Sequence, residues 1–203
     1  MKTLVNSVSK SSFAAIILLA SLFSLNVSAA TADRGPVNTD IKKVIVTGNT
    51  KVILVQSAVE SVSVDEFDLD KVSVKQIGNT LTINSIENNP VTVTVYVKDI
   101  YRIDASDHSS VTTLGKLNLT ALQILLKGEA TARVKANTES LYTVISDHAN
   151  LQLIGTSDNH ISKINGLAKM DTNKFAASKT EGRNAQEVVT ASADVIQKAI
   201  LSK

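Results

Sequence analysis

The part of this chain that most constrains its fold lies between residues 105 and 170, where the text repeats. "SDHSSVTTL" at Ser106–Leu114 returns, slightly altered, as "SDHANLQLI" at Ser146–Ile154. With Ser106, Lys127, Ser146 and Asn165 taken as equivalent, the spacings are 21, 19 and 19 residues. One residue before each anchor stand Ala105, Leu126, Ile145 and Ile164, all apolar. Three after it stand Ser109, Ala130, Ala149 and Ala168, all small; five after it come Val111, Ala132, Leu151 and Met170. Columns of like side chains at one period are what a stacked array produces, each repeat resting on the last. Leu122, Ile124 and Leu126, like Leu151 and Leu153, alternate in the manner of a strand. With no helix between the strands, an all-β solenoid with coils of about 20 residues fits better than a leucine-rich or ankyrin array.

The column just after the anchor reads Asp107, Gly128, Asp147, Gly166. Glycine and, less easily, Asp tolerate a positive φ. The column is therefore read as a structural corner with a left-handed backbone, passed once per coil. On this reading Ser-Asp-His recurs because the corner recurs, not because an active site was duplicated.

Upstream, "KVIVTGNTKVILVQS", "SVSVDEF", "KVSVKQIGNTLTINS" and "VTVTVYV" alternate with period two and are punctuated by turns such as Gly78-Asn79. They predict N-terminal antiparallel strands and hairpins. Met1–Ala30 has Lys2 and Lys10, then "FAAIILLASLFSL", then small residues, the pattern of a signal peptide rather than a membrane span. The chain thus divides into a signal peptide (1–30), a flexible lead-in (31–40), a β-solenoid domain (41–185) and a divergent C-terminal cap or tail (186–203). In the cap, Val188, Val195, Ile196 and Ile200 are the candidate apolar contacts, whether as a strand pair or as a short amphipathic helix.

Composition excludes several functions. The chain has 21 Lys+Arg against 19 Asp+Glu, and the first thirty residues hold two of those lysines and no acid, so the remainder is neutral. A neutral chain with 3% aromatic residues offers neither the field nor the stacking platforms for a nucleic-acid partner. The absence of cysteine removes disulfides, thiolate nucleophiles and thiolate metal sites, and fits a bacterial periplasm or surface.

Hairpin-like strands followed by short repeated corners, over about Ile41 to Thr172, resemble the putative auto-transporter adhesin head, or GIN domain, family of exported Bacteroidetes-type proteins. The resemblance implies a right-handed β-helix-like solenoid and a loose adhesion role, and it carries no catalytic residues. Ser106-Asp107-His108, Lys127-Gly128-Glu129, Ser146-Asp147-His148 and Asn165-Gly166-Leu167 depart from the family's Gly-Ser-Gly corners.

Three chemical constellations compete with a purely structural corner. His108, Glu129 and His148 fall in one column, with Asp107 and Asp147 beside them; imidazole and carboxylate suit zinc, but two rungs separate the imidazoles. The same five residues are the candidate binding residues. Ser-Asp-His as a hydrolytic triad needs three converging side chains, whereas neighbours on a strand point to opposite faces. Asp104, Asp107, Arg102 and Arg133 are the candidates for a polysaccharide-lyase-like groove, although their charges are scattered singly. The favoured reading is an exported, non-enzymatic, adhesin-like binding module without a cofactor. Its partner would be an extracellular glycan or protein, and its place the periplasm, the cell surface or the medium. A small carbohydrate-active or metal-dependent enzyme on the same scaffold is the alternative.

Overall fold

The structure is a computed structural model that describes residues 40–65 and 68–184. The expected signal peptide (1–30), residues 31–39 of the expected lead-in and the expected C-terminal cap or tail (186–203) lie outside the described residues. Within them the chain is all-β, with no α-helix and twelve strands in one open, strongly curled, half-barrel sheet.

The strands are β1 (Lys43–Gly48), β2 (Thr50–Gln56), β3 (Ser61–Val64), β4 (Ser73–Ile77), β5 (Thr80–Ser85), β6 (Val91–Val97), β7 (Arg102–Ala105) and β8 (Ser110–Leu114). Four longer ones follow: β9 (Leu117–Leu126), β10 (Thr131–Ile145), β11 (Asn150–Ile164) and β12 (Lys169–Asn184). β10 pairs β11 in parallel with Thr131 opposite Asn150 and Ile145 opposite Ile164, a constant offset of 19. β9 and β10 keep that offset, Leu117 facing Ala136. β8 and β10 are offset by 21, Ser110 facing Thr131. The two surplus residues are Gly115 and Lys116, which loop out between β8 and β9 and account for the one longer spacing.

β9, β10 and β11 each bend where two successive residues face solvent: Thr120–Ala121, Glu139–Ser140 and Asp158–Asn159. Alternation resumes beyond each bend with its parity reversed, so both arms point apolar side chains inward. Two walls result. The leading wall runs into the Ser-Asp-His corners and comprises β5, β1, β7 and the C-terminal halves of β9 to β12. The trailing wall leaves those corners and comprises β6, β2, β8 and the N-terminal halves of β10 to β12. Between them lies one core, with Val44, Leu54, Ile83, Ile103, Ile124, Ile145 and Leu151 at 2% exposure or less. Side chains of that size contribute about 1.5–3 kcal/mol each when fully buried.

The N-terminal half departs from the expected run of antiparallel hairpins. β1 and β2 flank the Thr-Gly-Asn-Thr turn but do not pair with each other. β1 pairs β5 and β7, and β2 pairs β6 and β8, all in parallel. Antiparallel pairing is confined, among the described residues, to the two margins: β3 on β6, and the β4–β5 hairpin turning at Gly78-Asn79. Strand order is also not chain order, because the β5–β6 unit lies outside the β1–β2 unit. Two-period alternation gave the strands but could not distinguish a local partner from a distant one.

Candidate functional site

The Ser-Asp-His corners stack. Asp107, Gly128, Asp147 and Gly166 have φ of 61°, 70°, 63° and 67°, and Gly48, in register at the β1–β2 corner, has 66°. Glu129 N–H donates to the Asp107 carbonyl, His148 N–H to that of Gly128, and Leu167 N–H to that of Asp147, at 2.7–2.9 Å. The alternation of Gly with Asp has a mechanical reason. A Cβ on Gly128 would stand 3.2 Å from the Asp107 amide nitrogen, and one on Gly166 equally close to that of Asp147. Each Asp reaches the other way: the Asp107 carboxylate accepts from Gly48 N–H and that of Asp147 from Gly128 N–H, both at 2.9 Å. Such charge-assisted bonds satisfy corner amides that face no strand partner. Behind them Ser109, Ala130 and Ala149 are fully buried, the small column packed inside the bend.

The candidate binding residues therefore sit on one ridge, though not as a pocket. His108 Nε2 lies 3.2 Å from Glu129 Oε2, with both side chains about two-thirds exposed, at 70% and 65%. His148 is exposed one rung further on. No group of three or more metal-ligating side chains is assembled among the described residues. Asp107 points back to Gly48 while His108 faces Glu129, so the local triplet does not converge as a triad would require. The lyase-like set is dispersed too. Asp104 bridges Lys43 at 2.9 Å and Arg102 at 2.8 Å on the outer leading wall, whereas Arg133 stands on the trailing wall.

Three features escaped sequence reasoning. The first is a shallow groove of about 380 Å³ on the outer trailing wall, with Ser110, Thr131, Arg133, Asn150, Gln152 and Lys169 among its lining. Its Asp171 carboxyl is held below the usual range by the Asn173 backbone N–H and the Gln152 amide. The second is a cleft of about 740 Å³ between the margin strands β3 and β4, lined by Ile41, Val62, Val64, Val72 and Val74. At its rim the Glu60 carboxylate accepts from Ile41 N–H at 2.7 Å and Lys98 N–H at 3.1 Å. The third is His160, 3% exposed, 3.0 Å from Thr143 Oγ1 and edge-on to Phe175 at 5.3 Å. Burial lowers its pKa. Its inward aim follows from the parity reversal at Asp158–Asn159, which local alternation does not reveal.

No helix among the described residues is long and apolar enough to cross a membrane. No curated protein shows a significant match to the chain. Solved structures do. A "putative adhesin" from Bacteroides fragilis NCTC 9343 is 13% identical over 73% of either chain, with TM-score 0.62. One from Parabacteroides merdae ATCC 43184 is 14% identical over 71% of this chain and 73% of its own, with TM-score 0.58. A "putative lipid binding protein" from Parabacteroides distasonis ATCC 8503 is 15% identical over 71% and 74%, with TM-score 0.55. At such identities the likeness is one of fold. The family model described as "Putative auto-transporter adhesin, head GIN domain" matches residues 40–195. The chain belongs to that family.

Proposed function

We propose that this protein is an exported, non-enzymatic, adhesin-like binding module. Its curled sheet is read as the wall of a right-handed β-helix-like solenoid with coils of about 20 residues. On this reading residues 1–30 direct export, 31–40 lead in, 41–185 form the binding domain and 186–203 are its cap or tail. Its place is the periplasm, the cell surface or the medium, and its partner an extracellular glycan or protein.

The observation that carries this reading is the outer trailing wall, a regular strand-by-strand face over a rigid core, polar in its two rows nearest the corners apart from Ile53 and mixed with Val55, Leu114 and Ile154 in the next. Solenoid faces suit extended partners because binding groups recur at the strand spacing. The ridge residues Asp107, His108, Glu129, Asp147 and His148 border the same corners and are proposed as accessory contacts. Family membership supports binding over catalysis. A screen of the mature chain against glycans and extracellular proteins tests it. Saturable binding without chemical change in the partner is expected; turnover of a glycan, or binding to nothing, contradicts it.

A second reading has one specific observation behind it. The β3–β4 cleft is walled by Ile41, Val62, Val64, Leu69, Val72 and Val74, with polar groups such as Glu60 and Lys98 also in its lining, and is large enough for an acyl chain. On that reading Val62→Arg abolishes uptake of a fluorescent fatty acid while leaving glycan and protein binding intact; equal uptake by both forms rejects the cleft.

A further inference from the structure

The outer trailing wall carries a charge pattern that neither the composition nor the corners disclose. Five cations face outward there, Lys51, Arg133, Lys135, Lys169 and Lys174, against one acid, Asp171. None of the five makes a close ion pair among the described residues, although Lys174 lies near enough to Asp171 to help hold its carboxyl low, whereas Lys42, Lys43 and Arg102 elsewhere are paired. The chain without its first thirty residues is neutral, so this face is basic because acids are placed elsewhere, at the corners, the bends and the β3–β4 margin.

The cations are also spaced. Across this wall the strands run β2, β8, β10, β11, β12. Lys51 lies on the first, Arg133 and Lys135 on the third, and Lys169 and Lys174 on the fifth. The strands between them carry no charge: they present Ser110 and Thr112, then Leu114, on β8, and Asn150 and Gln152, then Ile154, on β11. With strands about 4.8 Å apart, charge-bearing strands recur roughly every 10 Å across the sheet, in a zigzag: Lys51 and Lys169 share one row, and Arg133 stands in the next row along the strand. The groove over Arg133 and Lys169 lies along this line.

We infer that the outer trailing wall binds an extended acidic polysaccharide that carries a carboxylate on alternate sugars, lying across the strands. An extended pyranose chain advances by about one strand spacing per sugar. Uronates would then meet the cation-bearing strands, and the neutral sugars between them the hydroxyl and amide groups of β8 and β11. Arg133 offers a carboxylate the two-pronged contact that a lysine cannot. Base stacking has no platform here, since among the described residues the only aromatic one facing outward from this wall is Tyr96 at its far margin, which argues against a nucleic acid.

The inference rests on the binding-module reading and deepens it, and its test separates the two. Mature protein is titrated with hyaluronan oligosaccharides, neutral chito-oligosaccharides of equal length, inorganic polyphosphate and phosphatidylglycerol vesicles. Hyaluronan should bind best, with affinity falling as salt rises. Arg133→Glu/Lys169→Glu should weaken it about tenfold or more, and the milder Arg133→Gln/Lys169→Gln less, with melting temperature unchanged. Lys163→Glu on the leading wall should leave binding within about twofold. Equal binding of the neutral sugars, of polyphosphate or of vesicles overturns the inference, as does an equal loss from Lys163→Glu. A neutral glycan or protein partner that the double variant still binds overturns this inference and leaves the binding module standing. Binding to nothing overturns both.

Discussion

At Gly128 the backbone has φ of 70°, and a Cβ would crowd the Asp107 amide. Gly128→Val adds β-branched strain to that crowding and should cost about 3 kcal/mol, read as a lower midpoint in chemical denaturation. Asp147→Ala loses the carboxylate that holds the Gly128 amide and keeps the unfavourable φ, so it should cost about 1–2 kcal/mol. His108→Ala removes only an exposed contact to Glu129 and should move the melting temperature by no more than about 2 °C. A large loss from the histidine change with none from the glycine change would contradict the corner. His160 behaves differently. Its folded pKa is lowered by burial, so below its ordinary value the unfolded chain binds the extra proton. Stability is then full above that value and falls as pH drops through it. Denaturation midpoints between pH 7.5 and 5 should decline for the wild type and decline less for His160→Leu; parallel slopes would contradict burial of the neutral ring.

Among the elements, β10 has partners on both sides along its length, with β8 and β9 on one flank and β11 on the other. β12 has β11 alone among the described residues, and its inward Met170 and Phe175 are only half-buried. Native-state hydrogen exchange should find the amides of β10 slowest and those of β12 and β3 faster by more than about tenfold; uniform protection would contradict this ordering. The strands themselves were legible, because half-buried β-structure must alternate. So was the corner column, since only Gly and Asp recur where φ turns positive. The pairing of β1 with β5 and β7 was not, because period-two alternation is the same for a hairpin partner and for one 59 residues away. The basic face was hidden for a similar reason: Lys51, Arg133 and Lys169 look like isolated charges until strand pairing brings them onto one wall, Lys51 and Lys169 in one row and Arg133 in the next.

At the scale of the molecule, one offset ties fold and function together. The 19-residue register that buries Ala130 and Ala149 on the inside also sets the spacing of the outward cations on alternate strands. A protein so built presents a periodic face whose binding depends on ionic strength, while its fold depends on the corners. The chain has no cysteine, which permits a direct test of that offset. Thr131 and Asn150 are opposite one another on adjacent strands, within reach of a disulfide. Ile154 lies four residues further along β11, about 13 Å away. Under mild oxidation, Thr131→Cys/Asn150→Cys should crosslink within one chain, and Thr131→Cys/Ile154→Cys should not. Crosslinking of the second pair and not the first would show that successive repeats are out of register, and the stacked corners and the spaced cations would go with it.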